Sequence, residues 1–378
     1  MSAPEILISA GEASSDMYAA RLAAALRART GAHIFGMGGP RMAETGVEVI
    51  VDYHRVAVVG ISEVLHKIPT VIGVQRSLAR EAARRRASLA ILVDSPGTHL
   101  GVARRLKQSG IRTGYFIGPQ VWAWRAGRVE TIKRLVERIV VIFPFEEKIY
   151  RDAGVPVNFV GHPLVDVVRA SATREEFASR HGLDPRRPIV TLLPGSRRNE
   201  IAQHYPRIME ACERLAREAP AGGAIQFVLA AAPSLGHELF AQHARSDVSV
   251  TRVEGATYDA LAAADCAIVA SGTATVEAAL LGTPMVVVYR VSPASAFVLR
   301  RMVRSPFIAM VNLIAGRRAV PELIQDQFTP AAVEREVRTL LDSEPAREEM
   351  KAGLADVRAK LGAGGAVERA ADIFAGML

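Results

Sequence analysis

The chain has 378 residues, 49% of them apolar and 23% charged, and carries a formal net charge of +8. That length and composition fit two globular domains with separate cores and exclude a fibrous or disordered chain. Its two cysteines, Cys212 and Cys266, lie far apart without metal spacing, which fits a reducing cytosol.

The opening Met1-Ser2-Ala3-Pro4-Glu5 lacks a basic region and runs straight into an apolar strand, so no signal peptide is expected. The longest stretch without Asp, Glu, Lys or Arg, 219–237, is broken by Pro220, Pro233 and three glycines and cannot span a bilayer as a helix. A soluble protein is expected, with contact at a membrane surface left open. The charge is uneven: residues 1–165 hold 22 Lys/Arg against 14 Asp/Glu, while residues 166–378 hold 25 of each. A basic first half suits an anionic substrate or lipid surface, although solubility alone would also account for it. No nucleic-acid motif accompanies it.

Short apolar runs alternate with amphipathic stretches, the pattern of parallel sheets wrapped by helices. Strands are expected at 5–10, 33–37, 89–93, 112–117 and 139–143 in the first half. The polar stretch from 164 to 188 reads as a linker. Strands resume at 189–193, 225–230, 248–253, 266–270 and 285–289, and helical periodicity runs from Ala331 to the end with a break at 362–365. The expected fold class is α/β, two doubly wound Rossmann-like domains (1–165 and 166–330) facing across a cleft, with a helical tail (331–378). That tail is placed to pack back or to exchange between subunits of a homodimer. Ligands should sit at the carboxyl ends of the strands.

After the first strand, Ser9-Ala10-Gly11-Glu12-Ala13-Ser14-Ser15-Asp16 lacks the glycine pattern of a dinucleotide site. Asp16 either caps a helix beginning at Met17 or takes part in chemistry. In the segment 61–75, Ile61, Val64, Leu65, Ile68, Val71 and Ile72 fall on one helical face. Lys67 and the Arg84-Arg85-Arg86 run give it a basic setting. The face suits a membrane surface or the core of the first domain, and Pro69 should split the segment into two short helices or kink it. Asp94 ends the third strand before Ser95-Pro96-Gly97. It is placed either for general base work or for forming the turn. Trp122-Ala123-Trp124 after Gln120 suits sugar stacking or packing beneath the cleft.

In the second half, Pro194-Gly195-Ser196-Arg197 follows a strand and opens a helix, offering N–H donors and a guanidinium to phosphate; an ordinary turn would look similar. Ser271-Gly272-Thr273 repeats the arrangement. Glu277 then complements the helix dipole or bonds ribose hydroxyls. The chain holds no Asp-x-Asp and no His/Cys/carboxylate cluster at metal spacing, so neither metal nor other cofactor is expected.

Taken in order, Gly11-Glu12-Ala13-Ser14-Ser15-Asp16, Val93-Asp94-Ser95-Pro96, Pro119-Gln120-Val121-Trp122-Ala123-Trp124-Arg125, Gly161-His162-Pro163-Leu164, Leu193-Pro194-Gly195-Ser196-Arg197, Ser271-Gly272-Thr273-Ala274, Asn312-Leu313-Ile314-Ala315-Gly316 and Val320-Pro321-Glu322-Leu323 with Gln325 resemble the lipid-A-disaccharide synthases. The resemblance covers nearly the whole chain. It implies a two-domain GT-B fold and the metal-free joining of UDP-2,3-diacylglucosamine to 2,3-diacylglucosamine 1-phosphate, giving a β-1,6 disaccharide and UDP. It places Arg197, Ser271, Gly272, Thr273, Glu277, Asn312, Glu322 and Gln325 on the donor side. Glu12, Ser15, Asp16, Asp94, Gln120 and Trp122 fall on the acceptor side or at the catalytic centre. Ser15 stands where glycine is usual, and Gly97-Thr98-His99 replaces the usual Asp-Phe-Asn, which touches acceptor or acyl-chain binding. An acylated acceptor implies work at the anionic cytoplasmic face of the inner membrane and favours the membrane reading of 61–75. An inverting transfer needs one base, and no second, nucleophilic carboxylate is evident. The competing readings are a UDP-N-acetylglucosamine 2-epimerase, a peptidoglycan N-acetylglucosamine transferase, and a non-enzymatic nucleotide-sugar sensor.

Overall fold

The computed structural model describes residues 3–56, 61–119, 127–217, 224–232, 235–243, 248–292, 296 and 306–378, with side chains for all of these but 61–66, 237 and 243. The chain divides into two units, Met1–Pro163 with Leu361–Leu378, and Leu164–Lys360.

The first unit runs β1 (Glu5–Ala10), α1 (Ala13–Thr30), β2 (His33–Gly38), α2 (Pro40–Glu44), β3 (Glu48–Asp52), α3 (Ile61–Arg84), β4 (Leu89–Val93), α4 (Pro96–Gln108), β5 (Thr113–Phe116), α5 (Gly127–Leu135), β6 (Arg138–Val141), α6 (Pro144–Asp152) and β7 (Val157–Phe159). Among the described residues its strands form one sheet in the order β3-β2-β1-β4-β5-β6-β7, every pair parallel. A parallel sheet is covered on both faces, and β1 and β4 are accordingly unbroken apolar runs. Ile6, Leu7, Ile8 and all of Leu89, Ala90, Ile91, Leu92 and Val93 are fully buried. Because β1 leads toward β2 and β4 toward β5, the strand order reverses between these two neighbours. Loops leaving their carboxyl ends therefore diverge, and such a switch point opens a crevice.

The second unit follows the same plan. It runs α7 (Leu164–Val167), α8 (Arg174–His181), β8 (Ile189–Leu193), α9 (Arg198–Arg217), β9 (Gln226–Ala231), α10 (His237–His243), β10 (Val250–Glu254), α11 (Thr257–Ala262), β11 (Cys266–Ala270), α12 (Thr273–Leu281), β12 (Met285–Tyr289), α13 (Met310–Ala315), β13 (Glu322–Ile324), α14 (Pro330–Asp342) and α15 (Glu344–Lys360). Its sheet order is β10-β9-β8-β11-β12-β13, again all parallel, with the switch between β8 and β11.

Each strand expected from the sequence is present, within two residues at either end, while β3, β7 and β13 are additional. Residues 164–188 are not a free linker. Phe177 and Ala178 are buried, and Asp259 accepts from the Ser171 and Ala172 amides at 2.6 and 3.1 Å and from the Ser171 hydroxyl at 2.8 Å. The polar residues there fasten backbone to backbone, as Arg174 does on the carbonyls of Pro185, Ala263 and Arg187. The segment 61–75 lies within one helix, α3, with Pro69 inside it, rather than two. Its apolar stripe continues into buried Val74 and Leu78, which hold the later turns against the core. The tail also divides. α14 and α15 belong to the second unit, and α16 (Ala366–Ala375) returns to pack on α1 of the first. There Phe374 is buried edge-on to Phe116, and Arg29 pairs with Glu368 and Asp372 at 2.7 and 2.6 Å.

Candidate functional site

In the first unit the switch point gathers two carboxylates. Ala10 and Val93 are paired at the ends of β1 and β4, so Gly11 and Asp94 leave the sheet side by side. A Cβ at Gly11 would lie 2.3 Å from Ser95 Oγ, so the loops meet only because that residue has no side chain. Asp94 and Ser95 both take left-handed backbone, with φ of 52° and 47°. Such conformations cost non-glycine residues energy and persist where the surroundings impose them. Here they do: the Asp94 amide donates to Phe116 O at 3.0 Å. Its carbonyl accepts from the Tyr115 hydroxyl at 2.5 Å and from His99 Nδ1 at 2.7 Å.

Burial pushes the Asp94 carboxyl above the usual carboxylate range, to about 7. The charge of Glu12 and its side-chain hydrogen bond act in the same direction, and the Ser95 amide opposes them. Both carboxylates are half-buried. A carboxyl that changes protonation near neutrality can take a proton from a hydroxyl and hold it. His99 beneath it is fully buried, and burial lowers its pKa to about 4, so it is neutral. With Nδ1–H donating to Asp94 O, its Nε2 accepts from Ser9 Oγ at 2.9 Å.

Ser15 and Asp16 are spent on the loop. Ser15 Oγ accepts from the Gly11 and Glu12 amides and donates to Glu12 O, closing the start of α1, which begins at Ala13 rather than Met17. Asp16 is buried and caps α2, accepting from the amides of Gly39, Arg41 and Met42 at 2.7, 3.1 and 3.4 Å. Gln120, Trp122 and Trp124 lie outside the described residues, as do the side chains of Ile61, Val64 and Leu65. Of the remaining α3 positions, Ile68 is 45% exposed, and Val71 and Ile72 are half-buried, Val71 against the core.

In the second unit the switch point brings together the loops after β8 and β11. Gly195 (φ 126°) turns the first, and a Cβ there would lie 2.5 Å from Glu200 Oε2. Glu200 accepts from the Ser196 and Arg197 amides at 2.9 and 3.3 Å and pairs with the exposed Arg197 guanidinium at 2.9 Å. The donors expected for phosphate are thus held by a carboxylate. Sequence reasoning missed this, although Arg197 and Glu200 stand at ion-pair spacing. His204 on α9 is likewise buried. Its Nδ1 contacts Pro194 O at 2.8 Å and its Nε2 accepts from the Arg290 amide at 2.9 Å, tying the ends of β8 and β12 together.

After β11, Gly272 caps α12, Thr273 is exposed, and Ser271 Oγ donates to Ile308 O at 3.2 Å. Glu277 is raised above the usual carboxylate range by burial and accepts from the Tyr258 hydroxyl at 3.1 Å. Glu322 accepts from the Ile308 and Ala309 amides and from Asn312, whose own amide is fully used on Val320, Ala319 and Glu322. Together they build the turn into α13. Gln325 is left-handed (φ 54°) after β13, its carbonyl accepting from Arg290. Four of the five non-glycine residues with positive φ among the described residues, Asp94, Ser95, Ile117 and Gln325, lie just beyond strand carboxyl ends. Among the described residues no group of three or more His, Cys, Asp or Glu is placed to hold a metal ion, and no helix is long and apolar enough to cross a membrane.

The family model for lipid-A-disaccharide synthetase matches residues 6–371. The chain belongs to the lipid-A-disaccharide synthase family. It is similar to the lipid-A-disaccharide synthase of Myxococcus xanthus, 46% identical over 98% of this chain and 96% of that one. The synthase of Solibacter usitatus is 47% identical over 97% and 96%. As a lipid-A-disaccharide synthase family member it is a glycosyltransferase. Its fold is that of the GT-B enzymes: Acinetobacter baumannii MurG superposes with a TM-score of 0.60 at 14% identity, covering 98% of both chains. The UDP-GlcNAc 2-epimerase of Neisseria meningitidis, solved with UDP-GlcNAc, gives 0.66 at 12% identity and the same coverage. At such identities these structures share the fold with the synthase family and nothing finer.

Proposed function

We propose that the chain transfers a 2,3-diacylglucosamine unit from its UDP conjugate to the 6-hydroxyl of 2,3-diacylglucosamine 1-phosphate. The Asp94–Glu12 pair at the β1–β4 switch point carries this reading. The acceptor O6 attacks C1 of the donor, the C1–O bond to UDP breaks with its electron pair leaving on UDP, and Asp94 takes the hydroxyl proton. One displacement inverts the anomeric centre. Glu12 raises Asp94, while Ser15 and Asp16 shape the loop. On the donor side, the amides of Gly195, Gly272 and Thr273 receive the diphosphate, Arg197 and the Ser196 amide exchange Glu200 for its oxygens, and Glu277 receives ribose hydroxyls. Ser271 joins them on the donor side. Asn312, Glu322 and Gln325 complete the donor side, and Gln120 with Trp122 serves the acceptor. The leaving charge is met by donors rather than by a metal ion. The enzyme works peripherally, on the cytoplasmic face of the inner membrane.

The test mixes the two acylated glucosamines with the protein in excess EDTA and follows UDP release. Steady turnover is expected. Asp94→Asn should lower kcat by about 10² to 10⁴ with UDP affinity nearly unchanged. No disaccharide from these substrates, activity restored only by Mg²⁺, or an Asp94→Asn variant within a few fold of the parent would each overturn the corresponding part.

A further inference from the structure

The base assigned above stands on a backbone that would not hold its shape unaided. Asp94 and Ser95 are consecutive left-handed residues, neither of them glycine. The surroundings impose that geometry: the Asp94 amide donates to Phe116 O, and two side chains converge on the Asp94 carbonyl. His99 reaches Asp94 O from the first turns of α4, and Tyr115 reaches it from β5, the neighbouring strand. Both side chains are fully buried. His99 is in turn held from β1 by Ser9, whose hydroxyl is fully buried as well. Three elements therefore fasten the main chain of the residue assigned as the base.

We propose that His99, with Tyr115, is a positioning residue that fixes the left-handed turn at Asp94 and so aims its carboxylate at the acceptor hydroxyl. This rests on the reading of Asp94 as the base. A neutral imidazole suits the task, since it donates from Nδ1 while accepting at Nε2, and burial keeps it neutral throughout the working range. Glu12, just beyond β1, bears on Asp94 electrostatically, and Asp94 in turn raises Tyr115 on β5. Tyr150 on α6 and Arg128 on α5 act on Tyr115 in turn. Releasing the carbonyl lets the turn relax, which alters both the direction of the carboxylate and its distance from Glu12.

His99→Phe keeps the ring volume and removes both hydrogen bonds. It should lower kcat by about tenfold to a hundredfold, the scale of a misplaced reacting group, with KM for both sugars and UDP affinity within about twofold. The acidic limb of kcat/KM should move, because the Asp94–Glu12 pair changes. His99→Asn, which keeps a donor near the Nδ1 position, should recover most of the loss. Tyr115→Phe removes only a hydroxyl; it should show a smaller drop of the same kind and serves if His99→Phe fails to fold. The deciding measurement is a double-mutant cycle. In the Asp94→Asn background, neither second substitution should lower residual turnover further. Full additivity in that background, or kcat and pH profile unchanged in both single variants, overturns the positioning role while Asp94 stands. An Asp94→Asn enzyme that remains active overturns the base and the positioning role together.

Discussion

The proposed role of Asp94 beside Glu12 sets an expectation for how the enzyme responds to pH. Burial raises Asp94 first, and the adjacent Glu12 charge raises it further, to about 7. A base must be unprotonated, so kcat/KM should rise with pH through an acidic limb near neutrality and level off above it. Glu12→Gln removes the neighbouring charge and should shift that limb downward, while leaving part of the elevation that burial causes. A limb unchanged in Glu12→Gln would remove Glu12 from the pair. Each carboxylate was legible in sequence, as a polar residue at the end of an apolar run. Their contact was not, because it depends on the β1–β4 register, which joins residues more than eighty positions apart. Asp16 and Asn312 show the reverse: conspicuous polar residues whose hydrogen-bonding capacity is consumed by loops they hold shut.

Elements were easier to read where a single period governs them. The central strands, buried on both faces, announce themselves as apolar runs. β3, β7 and β13 are sheet edges or next to them, short and only partly buried, and their composition does not set them apart from loops. α3 shows a different limit. Its stripe passes from exposed Ile68 to half-buried Val71 and then to buried Val74 and Leu78, so one apolar face serves two surroundings along its length. The later turns belong to the core, and the proposed membrane contact falls to the earlier ones. Replacing Val64, Leu65 and Ile68 together with serine should weaken binding to anionic vesicles while the melting temperature holds. A collapse in melting temperature would make those residues core as well, and vesicle binding unchanged would move membrane contact elsewhere. α4 and α9 share a device invisible to periodicity, each lending a buried histidine to a carbonyl at the end of the strand before it.

At the scale of the whole molecule those histidines make the fold sensitive to acid. Burial lowers His99 to about 4 and His162 to about 3, and lowers His204 as well. Because their folded pKa values lie below the unfolded value of about 6.5, the stability they contribute is present above that pH. It is lost as pH falls toward the folded values, by up to about 1.4 kcal/mol per pH unit for each histidine. Asp94, raised instead, acts in the opposite direction between its unfolded value and about 7, and offsets one of them. The melting temperature should therefore fall between pH 6.5 and 4. His162→Asn should flatten that fall; an equally steep profile would assign the acid sensitivity to other groups. The two-sheet plan was legible from the alternation of runs, but the division of the chain between its units was not, since the last helix carries no mark of where it docks. That helix has a consequence for how the protein is made. Phe374 closes over Phe116, and a Cβ at Gly114 would lie 2.5 Å from its ring, so the first sheet is finished only by residues from the last part of the chain. Domains commonly fold in order as a chain leaves the ribosome. In this protein the unit translated first must wait, one helix short, while the second is synthesised in full and can already close.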